Sequence, residues 1–219
     1  MMRRVQLLVQ RIPMKKLLCA VLLSPLLYSN AVLADDAKQL RETLNGTESL
    51  KADFKQTVTD VNKKVIQSGA GVFALAHPNQ FYWHLTAPDE SKIVADGKDL
   101  WIYNPFAEEV VIMDFAEAIN ASPIALLVHR DDATWSQYSV TKKQDCYEIK
   151  PKSMDAGISA VNVCFNKGTL NKFNVLDDKG NLSQFDLSNQ HTISSADKAL
   201  FKFVLPDNVD VDDQRVKSQ

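Results

Sequence analysis

The side chains best suited to proton transfer or metal binding are His77, His84, His129 and His191, and they are scattered along the chain. Each reads as a surface or core histidine rather than a ligand or a general base. The acidic pairs Asp89-Glu90 and Glu108-Glu109 lie beside turn-forming residues and read as solvent-facing. The sequence contains no nucleophile elbow, phosphate-binding glycine loop, His-Glu-x-x-His or Cys-x-x-Cys. No catalytic residue, metal site or cofactor is therefore expected.

Cys146 and Cys164 carry the clearest covalent signal. The stretch between them is centred on Asp155-Ala156-Gly157, which is turn-like. If the flanking stretches form a hairpin, the two thiols face each other near its open end. A bridge closing such a loop contributes roughly 3 kcal/mol. Two buried free thiols are the alternative; a metal pair lacks further ligands at suitable spacing.

Apolar ring surface is the other conspicuous feature. In HPNQFYWHLT, strand geometry puts Phe81, Trp83 and Leu85 on one face and Tyr82, His84 and Thr86 on the other. Trp101 and Tyr103, across the next turn, form a second aromatic set. Two readings stay open. These residues are the plain core of a sheet with helices packed on it, or they line an apolar pocket under a helical cover.

The elements that would position them are mostly strands. Asp35 to Leu44 reads as a short amphipathic helix ending near Asn45-Gly46. Strand patterns follow from Leu50 onward. Val65 to Ala76 carries Gly69 and Gly71 in mid-strand, which suggests a bend, a bulge or a close approach. Ser91 to Ala95 and Leu100 to Tyr103 flank the hairpin signal Asp96-Gly97. Asp114 to Arg130 switches to helical spacing, with a joint at Ser122-Pro123. Further strands are expected at Thr134–Thr141, Cys146–Pro151, Ile158–Phe165, Thr169–Leu176, Leu182–Leu187 and Phe201–Val204. Roughly ten to twelve strands in hairpin order predict an antiparallel meander that curls into a barrel or half-barrel.

Residues 1–34 have the layout of a secretory signal. Met14-Lys15-Lys16 supplies positive charge, Leu17 to Leu27 an apolar run broken by Pro25, and Val32-Leu33-Ala34 a cleavage site. Initiation at Met14 and cleavage after Ala34 are expected, leaving one domain, 35–219. That removes five of 25 Lys and Arg and none of 27 Asp and Glu, so the mature net charge is about −7. Such a chain is a poor binder of nucleic acid and of anionic membrane surface.

The stretch PNQFYWHLTAPDESKIVADGKDLWIYNPF strongly resembles the signature of the periplasmic lipoprotein carrier family LolA. ADFKQTVTD near the start and FKFVLPDNVDVDDQR at the end match that family too. The resemblance implies an incomplete antiparallel β-barrel of about eleven strands, with short helices as a lid over an apolar cavity. It implies a soluble, monomeric, non-enzymatic chaperone of the Gram-negative periplasm. Such a carrier takes acylated lipoproteins from an ATP-binding-cassette releasing complex in the inner membrane. It hands them to a receptor on the outer membrane.

Carried over by position, Phe81 and Trp83 match the family's cavity and entrance aromatics. Leu85 and Trp101 complete the expected lipid-contacting set on the sheet, and Ile119, Ile124 and Leu127 fall in the lid segment. Pro78 and Asn79 match the family's Pro-Asn, but His77 stands where the family usually has an arginine that latches the lid. His77 is the latch candidate here, with fewer donors than arginine. Glu109 stands where the family often has glutamine. A lipoprotein-sensing or hydrophobic-ligand-binding regulatory module of the same fold is the alternative function. A lipid-modifying enzyme is disfavoured by the missing site.

Overall fold

One helix, α1 (Val32–Asn45), precedes an almost uninterrupted series of strands. The structure, a computed structural model, describes residues 32–117, 126–129, 131–153 and 157–215, with side chains from 36 onward. The signal segment before residue 32, the Ser122-Pro123 joint and the Asp155-Ala156 turn lie outside them, as do Ile119 and Ile124.

The strands are β1 (Ser49–Thr59), β2 (Val65–Ala76), β3 (Gln80–Ala87), β4 (Ser91–Asp96), β5 (Asp99–Asn104) and β6 (Glu109–Asp114). After a one-turn helix, α2 (Asp132–Trp135), come β7 (Tyr138–Lys143), β8 (Cys146–Pro151), β9 (Ile158–Asn166), β10 (Thr169–Asp177), β11 (Leu182–His191) and β12 (Asp210–Asp213). They form one 12-stranded sheet in the order β12-β6-β5-β4-β3-β2-β1-β11-β10-β9-β8-β7. Every pair is antiparallel except β12, which runs parallel to β6. The end strands β12 and β7 are not joined, so the barrel is incomplete.

Side-chain contacts show how strongly the sheet curls. Trp83 on β3 and Phe173 on β10 are four strand spacings apart, about 19 Å on a flat sheet. Their ring centroids lie 6.2 Å apart. The inner face so formed carries the main core, drawn from β1 to β5 and β7 to β11. α1 lies on it through Leu40 and Leu44, one turn apart on the same side of the helix. This helix also covers the edge strand β7: the Asp36 carboxylate accepts the Lys142 backbone N–H at 2.9 Å. Cys146 and Cys164 sit directly opposite on β8 and β9 and are joined by a disulfide.

Two expected strands change and one new strand appears. Thr134–Thr141 is not one strand. Asp131 caps α2 by accepting the Thr134 backbone N–H at 2.8 Å, and pairing starts at Tyr138. Phe201–Val204 is not a strand either. Phe201 ends a 3-10 turn, Asp197–Phe201, and packs on the outer face with Ala74, Ala76, Tyr82 and Val94. Its apolar alternation with Phe203 serves packing rather than a ladder. β12 is the unanticipated strand, pinned by Arg215, whose Nη1 donates to the buried Asp99 carboxylate at 2.9 Å.

Candidate functional site

The inner face holds a cluster of six rings. Phe54 stacks on Trp83 with centroids 4.0 Å apart and planes inclined by 25°. Phe185 meets Trp83 edge-on at 4.9 Å and stacks on Phe173 at 4.6 Å. Phe73 contacts Phe81 at 5.7 Å and Trp83 at 6.2 Å, both edge-on. Offset and edge-to-face pairs of this kind satisfy the ring quadrupoles beyond simple burial. Trp83 is only partly buried, at the margin of the cluster.

Glycines make the room. A Cβ on Gly71 would lie 2.7 Å from Phe54 Cζ and 2.0 Å from the His84 carbonyl oxygen. One on Gly69 would meet Leu85 Cδ1 at 2.9 Å and the Ala87 carbonyl oxygen at 2.8 Å. The mid-strand glycines therefore mark a close approach, and the β2–β3 register shifts at Ala70/Gly71 beside it.

Phe115, Leu126, Leu127, Val128 and Trp135 are buried in the same cluster as the rings. Every residue of that cluster is aliphatic or aromatic, its polar atoms confined to Trp83, Trp135 and two tyrosines. One of these, Tyr138, has its phenol pKa pushed up by burial. Such a surface offers apolar contact, and nothing in it activates a nucleophile or moves a proton at neutral pH.

Phe81, Trp83, Leu85 and Leu127 are thus brought together on one face. Trp101 is not. Its register partner is Val94, itself opposite Tyr82, so Trp101 belongs to the outer face. There it stacks on Phe203 at 5.9 Å. The inward neighbours on β5 are Leu100 and Ile102. Phe54, Phe73, Phe173 and Phe185 were missed as site residues. Their alternation was visible, but which strands meet across the curl was not.

At the β2–β3 turn, His77 is exposed and its backbone N–H donates to the Glu48 carbonyl at 2.9 Å. Among the described residues, Asn79 meets the segment that ends at His129. The Asn79 backbone N–H donates to the Val128 carbonyl at 3.3 Å, and Asn79 Oδ1 lies 3.0 Å from His129 Nδ1.

A family model described as "Outer membrane lipoprotein carrier protein LolA" matches residues 45–204. The chain belongs to that family. The LolA match contains all six rings and Leu126 to Val128, and it ends before β12. Proteins named "Outer-membrane lipoprotein carrier protein" from Shewanella sp. strain MR-4 and Shewanella oneidensis are each 94% identical over 206 residues. Both alignments span 94% of this chain and 100% of the relative. The protein of the same name from Shewanella baltica strain OS155 is 82% identical over 94% of this chain and 99% of its own. A solved LolA superfamily protein from Nitrosomonas europaea aligns with 76% of this chain and 98% of its own, at 12% identity and a TM-score of 0.43.

Proposed function

We infer that this protein carries outer-membrane lipoproteins through the periplasm, holding their acyl chains against the inner aromatic face. The observation that carries this reading is the ring cluster itself, apolar but for the Trp83 indole N–H and buried together with Leu126, Leu127 and Val128. Each methylene buried is worth about 0.8 kcal/mol, so releasing several acyl chains into water is prohibitively slow. Transfer must run from one apolar shelter to another. The cover gives a way to let go, because the covering side chains and the cargo compete for the same surface.

Phe81, Trp83, Leu85 and Leu127 belong to the acyl-contacting set in this account. Ile119 and Ile124 join them as residues of the same covering segment. The cargo arrives from an ATP-driven releasing complex in the inner membrane and leaves for an outer-membrane receptor. The carrier itself makes and breaks no covalent bond. The acidic mature chain is repelled by anionic lipid surfaces, which keeps it in transit rather than adsorbed.

Purification from the periplasm followed by mass spectrometry of bound proteins tests this. Recovery of many different lipoproteins supports a general carrier. Recovery of one regulatory partner alone supports the sensing alternative. Turnover of a lipid substrate without bound lipoprotein contradicts the carrier.

A further inference from the structure

The Cys146–Cys164 bridge lies on the outer face of the sheet. Tyr147 and Val163, the adjoining residues on β8 and β9, are buried in the inner core, and alternation turns the two cysteines the other way. Both cysteines are half-buried there rather than enclosed. Register sets their neighbours. Lys143 on β7 is the direct partner of Cys146, and Lys172 on β10 is the direct partner of Cys164. The outer face therefore carries the row Lys143–Cys146–Cys164–Lys172, one residue from each of four neighbouring strands. Directly opposite side chains have Cβ atoms about 5 Å apart.

Carboxylates stand one step further off. Asp186 lies beyond Lys172 in the row, its Oδ1 3.6 Å from Lys172 Nζ. Glu148 Oε1 lies 3.5 Å from Lys143 Nζ, while its Oε2 takes Lys150 at 2.8 Å. Asp145 is exposed in the turn before Cys146. The two lysines alone among charged residues are cross-strand partners of the cysteines. A neighbouring ammonium favours a thiolate over a thiol. An exposed bridge also exchanges more readily than an enclosed one. Opening it leaves β8 and β9 paired as far as Ile149 and Val161, with their inward side chains still in the core.

We propose that Cys146–Cys164 is a thiol–disulfide exchange site of the folded protein, selective for anionic thiols. An incoming thiolate bonds to the Cys146 sulfur beside Lys143. The Cys146–Cys164 bond breaks, and its electron pair leaves on the Cys164 sulfur beside Lys172. Attack on Cys164 exchanges the two roles. A second thiol then removes the first as its own disulfide. The two thiols supply two electrons and two protons, and both cysteines end reduced. Without a second thiol, the freed thiolate re-forms the bridge and expels the first. Reduction removes the covalent staple between the edge hairpin β7–β8 and β9, so the supply of anionic thiol sets the stability of that edge. The acyl-contacting rings lie on the opposite face and take no part.

The test is exchange kinetics of the whole mature protein in native buffer, stopped by alkylation and read as intact mass. Glutathione, an anionic thiol, is compared with cysteamine, a cationic thiol of similar acidity. Glutathione is expected to form the mixed disulfide and then the reduced protein at a rate proportional to its concentration. It should react about five-fold faster than cysteamine, as fits two exposed charges. That preference should fall toward unity at about 1 M salt, where screening sets in beyond ~3 Å. It should fall likewise in Lys143→Gln/Lys172→Gln. Should that variant fold poorly, the salt dependence of wild type carries the test. A rate that ignores thiol concentration is set by unfolding and overturns the proposal. Equal or faster exchange with cysteamine at low salt overturns it too. A preference that survives both salt and the double substitution overturns the role of the lysines. None of these results bears on acyl carriage.

Discussion

Phe54 lies face to face with Trp83 at 4.0 Å because Gly71, its direct partner on β2, has no side chain to occupy that space. Ring contact and glycine are one feature. Gly71→Ala would force its methyl onto the His84 carbonyl and the Phe54 ring, so the strand or the ring must move. The expected cost is about 3 kcal/mol, at the upper end for overpacking, read as a lowered midpoint in urea denaturation. Gly46→Ala, whose Cβ would meet its nearest atom at 3.4 Å, is the control and should change stability little.

The disulfide between Cys146 and Cys164 spans a sequence separation of 18 and links neighbouring strands β8 and β9. Cys146→Ser with Cys164→Ser should lower unfolding free energy by roughly 3 kcal/mol, mainly by freeing the unfolded chain. The six rings lie on other strands, so acyl-probe affinity should be unchanged. Equilibrium denaturation and probe titration on the same sample check both.

Acid should loosen the outer face. The Lys51 ammonium donates to Asp197 Oδ1 at 2.6 Å, and the Ser194 backbone N–H and hydroxyl donate to Oδ2 at 3.0 and 2.5 Å. Lys51 first, then Ser194, hold the Asp197 carboxyl far below the usual carboxylate range. A folded-state pKa depressed in this way adds stability above the unfolded value of about 3.9 and loses it as pH falls. Lys150 lowers the Glu148 carboxyl in the same sense. Wild type should therefore lose stability as pH drops below about 4, and Asp197→Asn should show a shallower loss and a lower plateau at neutral pH. Thermal denaturation across that pH series reads the difference.

Much of this was legible in the residues. Alternation placed Phe81, Trp83 and Leu85 together, and the glycines in Val65–Ala76 allowed a bend, a bulge or a close approach, of which Gly69 and Gly71 show the last beside a register shift. What stayed hidden depended on register or on distance along the chain. Trp101 was joined to the Phe81 and Trp83 set because period-two alternation fixes faces within a strand, not between strands. The pairing of Val94 with Trp101 decides the matter, and it is set by the loop where Asp96 Oδ1 accepts the Lys98 and Asp99 N–H groups. Phe201 and Phe203 alternate like a strand because they pack on a sheet, which leaves the same pattern as joining one. β12, three aspartates in four residues, has no apolar alternation to find. The Asn79–His129 contact links segments fifty residues apart and has no local signature.

Carriage on the inner rings requires that the inner face of the sheet, and not the outer, takes the acyl chain. Fatty acid brominated midway along its chain quenches tryptophan on contact, and Trp83 and Trp101 lie on opposite faces. Trp135 shares the inner cluster, so Trp135→Phe serves as the parent, and titrating it beside Trp83→Phe/Trp135→Phe and Trp101→Phe/Trp135→Phe with this ligand separates the two faces. Acyl chains held on the inner face should give strong quenching in the parent, a larger quenched fraction when Trp101 is also replaced and a sharply smaller one when Trp83 is also replaced. Quenching that survives replacement of Trp83 but disappears on replacement of Trp101 would contradict carriage on the inner face.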